Sequence, residues 1–316
     1  MGRQGVRSDW QSIPVHVRAH IDEIAGSPVV TSTNLDGGFS PGPAARCELA
    51  DGRRVFVKAA GTDLNPISPA MHRREAEVLA ALPDQHPSPT LIGTVDDGDW
   101  VALVVEWVEG RMPTAPLEQN DVDRMVSLAD RLAELGHALR PAGVEPFAER
   151  HGHLTGHWQR LLCDDREMQD RLDGWSGDHL ERLADLEAPA LAASAGEHLL
   201  HLDLRTDNVL FSDAGPEHDI AVDWPGAAIG AAWIDLLCML PALHLDGGPS
   251  PSQVFAASAL GHSADADAVD AVLAAFAGFF TRQALLDPPP GLPTLRAFQA
   301  VQGQIARAWL AERMGW

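Results

Sequence analysis

The sequence predicts an α+β fold of two lobes. A small N-terminal lobe, residues 1–110, should hold a β-sheet with one main helix. A larger, mostly helical lobe should fill residues 111–316. Three observations carry this. Alternating apolar runs with hairpin turns crowd into the first 110 residues. Helical spacing dominates afterwards. Two short apolar runs interrupt the helices within residues 197–223, and each ends on an Asp.

The first strand is 29–36, followed by a glycine- and proline-rich turn over 37–43. Strands 44–50 and 53–60 join at Asp51-Gly52, a dipeptide that suits a tight hairpin. Residues 69–82 have helical spacing, with Met71, Ala76, Val78, Leu79 and Leu82 on one apolar stripe. Strands 91–95 and 100–106 flank an acidic turn, which completes the order β-β-β-α-β-β. Beyond Gly110 come helices at 121–139, 158–172, 178–186 and 188–195, the first capped by Asn120 or Asp121. Helices at 234–240, 252–260, 265–286 and 295–312 finish the chain, with a stiff proline-rich linker at 287–293.

The formal net charge is −22, which repels nucleic acid and anionic membrane surfaces. That acidity serves solubility or draws a cationic substrate. No apolar run approaches a membrane span, and the basic start leads into no apolar stretch, so a cytoplasmic protein is expected. Cys47, Cys163 and Cys238 are far apart and odd in number, which fits reduced thiols. A monomer or homodimer is expected.

The chemistry concentrates in His201-Leu-Asp203-Leu-Arg-Thr-Asp207-Asn208. An Asp is followed five residues later by an Asn, and Asp223 ends the next apolar strand. Phosphoryl transfer from a nucleotide needs such a set. One carboxylate orients a hydroxyl, and an amide with a second carboxylate holds magnesium. Lys58 ends the strand Val55-Phe-Val-Lys58 and is the only lysine among 23 Lys and Arg residues. A compact ammonium is evidently needed there. No G-x-x-x-x-G-K-[ST] occurs, which excludes a P-loop.

With Val222-Asp-Trp-Pro-Gly-Ala-Ala-Ile-Gly230 and Asp235-Leu236, the chain resembles the aminoglycoside phosphotransferase family over about residues 30–240. These are protein-kinase-like small-molecule kinases, with choline and homoserine kinases among their relatives. The resemblance implies a protein-kinase-like fold with Asp203 as the catalytic residue and Asn208 and Asp223 as magnesium ligands. It implies that Lys58 meets the α- and β-phosphates, paired with Glu75; Glu77 is the competitor. Gly38 and Ser40 would neighbour the phosphates, although Phe39 replaces the middle glycine of the usual loop. Glu106 and Val108 would receive adenine through their backbone. His201 and Asp235 would brace the catalytic loop. Arg205 would face either the transferring phosphate or solvent, and Asp207 receives no role. Trp224-Pro225 after Asp223, and the absence of an A-P-E element, point away from protein kinases.

Other clusters take plainer readings. His151, His153 and His157 lack zinc-site spacing and read as scattered surface residues. Trp158 and Trp175 belong to the core or to a substrate cleft. Acidic residues from Asp164 to Asp178 form a solvated face or receive ammonium groups. The expected activity is Mg2+-dependent transfer of the γ-phosphoryl group of ATP, or GTP, to a small hydroxylated molecule. The acceptor would be an aminoglycoside or another hydroxylated antibiotic. The alternative is a metabolic acceptor such as choline, homoserine or a sugar. An inactive nucleotide-binding module is a second alternative, disfavoured by the intact Lys58, Asp203, Asn208 and Asp223.

Overall fold

The computed structural model describes residues 8–35, 42–137, 139–289 and 292–316. The N-terminal elements are α1 (Val15–Ala25), β1 (Val29–Asn34), β2 (Ala44–Leu49), β3 (Arg54–Gly61), α2 (Ser68–Ala81), β4 (Leu91–Asp96) and β5 (Trp100–Glu106). The five strands form one antiparallel sheet in the order β1-β2-β3-β5-β4. The expected strand and helix order is present, with α1 added in front.

Side chains alternate across a strand, so each strand serves two faces. On β5, Ala102 and Val104 join Val55, Val57 and Ala59 of β3 against Val17, Ile21 and Ala25 of α1. Val101, Leu103 and Val105 face the other way, into the core that includes Ala76, Val78 and Leu79 of α2. Lys58 falls between Val57 and Ala59 and therefore points to the α2 face. Val17, Ile21 and Gly26 carried the signal for α1: an i, i+4 apolar pair and a left-handed glycine cap. Met71 does not share the buried stripe of α2; it is exposed.

The linker after β5 is pinned. Arg111 and Phe211 exchange backbone hydrogen bonds of 3.0 and 2.8 Å. A Cβ on Gly110 would lie 2.7 Å from the Phe211 carbonyl oxygen, so only glycine allows this approach.

The second region holds α3 (Gln119–Gly136), α4 (Phe147–His151), α5 (His157–Cys163), α6 (Arg166–Gln169), α7 (Gly174–Asp178), α8 (Leu180–Glu187) and α9 (Ala190–Ala193). Two short antiparallel ribbons follow. One pairs β6 (His198–Leu200) with β9 (Ala228–Gly230), and the other pairs β7 (Val209–Leu210) with β8 (Ile220–Ala221). Helices α10 (Ile234–Leu245), α11 (Pro251–Ala257), α12 (Ala259–Ser263), α13 (Ala266–Ala284) and α14 (Leu295–Met314) complete it.

Three expected helices are interrupted. The span 158–172 breaks after Cys163, where Asp164-Asp165 would sit against the negative end of a helix dipole. Asp165 turns out to meet Arg282 instead, at 3.3 Å. The span 178–186 gives way to α7 and α8, which divide at His179, with Asp173 capping α7 through Ser176 N at 2.9 Å. The span 252–260 divides at Ser258, whose hydroxyl accepts the Gly261 amide and opens α12.

Candidate active site

The loop carrying Asp203 follows β6, and buried polar groups shape it. Asp235, in the first turn of α10, accepts the amides of His201 at 2.8 Å and Leu202 at 2.7 Å. Leu202 has φ +67°, a region costly for a branched side chain. The Asp235 clasp holds that strained residue in place. The Asp203 amide donates to His201 Nδ1 at 3.1 Å, so Nε2 carries the proton given to the Val222 carbonyl at 2.9 Å. Val222 N in turn donates to the Asn208 carbonyl at 2.9 Å. These two bonds set Asp223, at φ +70°, beside the 3-10 turn Thr206–Asn208. Trp224 is buried, with its ring 4.5 Å from His201 and 4.9 Å from His86.

Within this loop, Asn208 Nδ2 donates to Asp203 Oδ2 and to the Asp203 carbonyl, both at 2.9 Å. Its amide oxygen is thereby turned to other use. Asp203 Oδ1 accepts from Arg205 Nη1 at 2.6 Å. Across the cleft, Lys58 of β3 donates to Asp223 Oδ1 at 2.7 Å and is ion-paired with Glu75 of α2. Glu77 is 64% exposed and, among the described residues, pairs with Arg74, so of the two glutamates it is Glu75 that meets Lys58.

Burial opposes charge on every group here, and the partners decide the outcome. It works against the Lys58 ammonium, but Asp223 and Glu75 outweigh it and hold Lys58 above the ordinary lysine pKa. It also works against Asp223, but Lys58 pulls that carboxyl down to about 2. Burial pushes Asp203 up to about 6 despite Arg205, and Asp235 up to about 6 despite its two amide donors. It lowers His201 to about 4, which keeps the ring neutral. Ionised Asp223 and the Asn208 amide oxygen are hard donors of the kind magnesium prefers.

The other expected residues lie as follows. Gly38 and Ser40 fall outside the described residues. Glu106 ends β5, with its amide bonded to the Thr90 carbonyl at 3.0 Å, and Val108 is half-buried in the linker. The three histidines are not a scattered surface group. His157 is buried and bonds the His153 carbonyl, while His151 bonds the Gly226 carbonyl at 2.7 Å. Trp158 is core, with Nε1 on the Ala274 carbonyl at 2.8 Å, and Trp175 stacks on His179. Of the acidic residues, Asp164, Glu167, Asp170, Asp173 and Asp178 are exposed, and Asp173 also meets Arg307 at 3.0 Å. Arg205 does not project into solvent; it lies between Asp203 and Asp207. Nothing in the periodicity signalled that contact.

A sequence model of the phosphotransferase enzyme family matches residues 43–302, most of the chain. The protein belongs to that family. No curated protein matches it. Among solved structures, this phosphotransferase is similar to the aminoglycoside phosphotransferase APH(4)-Ia, in a thermostable mutant complexed with ADP and hygromycin B. That pair shares 13% identity over 94% of this chain and 98% of the other, at a TM-score of 0.60. An aminoglycoside-3'-phosphotransferase of type VIII shares 22% identity over 84% of this chain and all of the other, at a TM-score of 0.55. A putative fructosamine-3-kinase from Haemophilus somnus 129PT shares 14% identity over 95% and 97%, at a TM-score of 0.56. At these identities the likeness shows the shared kinase-like fold.

Proposed function

We propose that this phosphotransferase moves the γ-phosphoryl group of ATP or GTP to a hydroxyl of a small molecule. The observation that carries the reading is the meeting of four residues from three segments in one network. Lys58 bonds Asp223, the Asn208 carbonyl holds Val222, and the Asn208 amide holds Asp203. In this reading Lys58, kept charged by Glu75, receives the nucleotide phosphates. Glu106 and Val108 flank the base. Gly38 and Ser40 would neighbour the phosphates. Asn208 and Asp223 hold Mg2+, which when bound offsets the phosphate charge. Asp203 orients the acceptor hydroxyl and takes its proton. Orientation matters more than basicity, because phosphoryl transfer is mostly positioning and charge stabilisation.

For the acceptor we favour an aminoglycoside or another hydroxylated antibiotic, since two of the similar structures described above are aminoglycoside phosphotransferases. A metabolic acceptor is the second reading, supported by the similarity to the fructosamine-3-kinase and to a Plasmodium vivax ethanolamine kinase (12% identity, TM-score 0.53). The net charge of −22 suits a cationic acceptor in either case. Cys47, Cys163 and Cys238 are all free thiols, which suits a cytoplasmic enzyme. Among the described residues no helix is long and apolar enough to cross a membrane.

The test is nucleotide consumption with Mg2+ across aminoglycosides, other antibiotics, amino alcohols and sugar amines, run beside the Asp203→Asn variant. Acceptor-dependent ADP or GDP formation by the wild type alone is expected. Tight Mg-nucleotide binding with no turnover on any acceptor would instead mark an inactive binding module. Resistance conferred on a sensitive host would separate an antibiotic acceptor from a metabolic one.

A further inference from the structure

The geometry points to Asp207 as a positioning residue for Asp203, acting through Arg205. The inference rests on the phosphotransferase reading above. Arginine offers five N–H donors in a planar fork and prefers to grip a carboxylate with two of them. Here the fork is divided. Asp207 accepts from Arg205 Nε at 3.0 Å and Nη2 at 3.3 Å, one contact to each of its oxygens. Asp203 is met by Nη1, through Oδ1 at 2.6 Å. The Arg205 side chain is 16% exposed and that of Asp207 19%, so the fork has little room to turn while Asp207 holds it. Phe298 of α14 lies beneath, with its ring centroid 6.0 Å from the guanidinium carbon.

The division protects Asp203. Its Oδ2 takes the Asn208 amide, Oδ1 takes one arginine N–H, and 39% of the side chain stays open to an acceptor. Without Asp207, the two donors it releases would be available to Asp203, which Arg205 already holds through Nη1. A two-pronged grip there would displace Asn208 Nδ2 from Oδ2 and occupy the lone pairs an acceptor hydroxyl must reach. Asp207 and Asn208, neighbours in one turn, thus act on the same carboxylate. Asn208 does so directly, and Asp207 by restraining the arginine. Among the contacts described, Asp207 touches none of Lys58, Glu75 or Asp223, so nucleotide binding should not feel its loss.

The experiment compares the full-length wild type, Asp207→Ala and the double variant Arg205→Ala/Asp207→Ala, using an acceptor found in the screen above. Asp207→Ala should lower kcat about tenfold or more while Mg·AMP-PNP affinity stays within about twofold. Removing Arg205 as well should return turnover at least about threefold above Asp207→Ala, because the obstructing fork is gone. A double variant no faster than Asp207→Ala overturns the inference, as does an Asp207→Ala enzyme with wild-type kcat. Asp207→Asn, which keeps shape and one acceptor oxygen, replaces Asp207→Ala if the alanine variant fails to fold, and should fall between it and wild type. A readout free of turnover is the Arg205 Nε–H NMR signal. It should be protected from water in the wild type and exchange fast in Asp207→Ala; equal exchange in both counts against the inference. Absence of wild-type turnover on every acceptor would count against the phosphotransferase reading instead, and the NMR comparison would still decide the role of Asp207.

Discussion

The sheet that carries Lys58 and the loop that carries Asp203 are held by opposite means. β3 is paired along its length, with β2 from Arg54 to Lys58 and with β5 from Val55 to Gly61. Its position follows from ladder hydrogen bonds that most sequences can make. The ribbons around the Asp203 loop have only three and two residue pairs. Ladders that short hold little, and buried side chains do the holding instead. Asp235 grips two amides, and His201 bridges Val222 to Asp203. A ladder tolerates substitution and ignores pH. A buried polar clasp tolerates neither.

The largest effect that tests this contrast is Asp203→Ala. Turnover should fall about 10²–10⁴-fold while Mg-nucleotide affinity persists, because Lys58 and Asp223 keep each other. Steady-state kinetics beside calorimetry would show it, and unchanged turnover would break the assignment of chemistry to the loop. Next comes Asp235→Ala, which strands two buried amides at about 1–3 kcal/mol each. Denaturant unfolding should show that loss and turnover should fall with it. Val57→Ala on the sheet should cost a similar amount of stability and leave turnover nearly intact. Equal kinetic damage from both would erase the distinction.

The third test is pH. Burial lowers His86 and His201 to about 4. An unfolded histidine titrates near 6.5, so between about 6.5 and 4 the unfolded chain binds these protons more readily. Stability from these groups is therefore complete above 6.5 and is lost as pH falls towards 4. Asp235, raised to about 6, opposes this, since its folded form takes a proton first. His86→Phe should flatten the acid limb, by on the order of 3 kcal/mol across that window. An unchanged slope would remove His86 from the account. The smallest effect expected is Gly110→Ala, about 1–2 kcal/mol in unfolding free energy, from the contact its Cβ would make with the Phe211 carbonyl.

Much of the fold was legible because one period governed each region. Period-two alternation assigned β2, β3 and β5, and a solitary lysine in an arginine-rich chain marked the residue that meets the cleft, although β3 runs on past it to Gly61 rather than ending there. The choice between Glu75 and Glu77 was not legible. It depends on which face of α2 meets the sheet, and residues two apart both border the apolar stripe. The interrupted helices misled because apolar spacing runs on across Asp164-Asp165 and Ser258, where capping and charge decide instead. The divided fork of Arg205 arises from a single 3-10 turn, too short for any period to register.

The stack of His86, Trp224 and His201 bears on how this enzyme can flex. His86 belongs to the segment between α2 and β4, inside the N-terminal part of the sequence. Yet its ring rests on Trp224, and the neighbouring Pro87 carbonyl accepts the Ala221 amide at 2.9 Å. Those few residues are fastened to the segment that carries Asp223. The chain therefore passes from one half to the other at three places: after α2, before β4 and again beyond β5. A jaw joined at three points cannot swing on a single pin. Any opening of the cleft must bend all three crossings together.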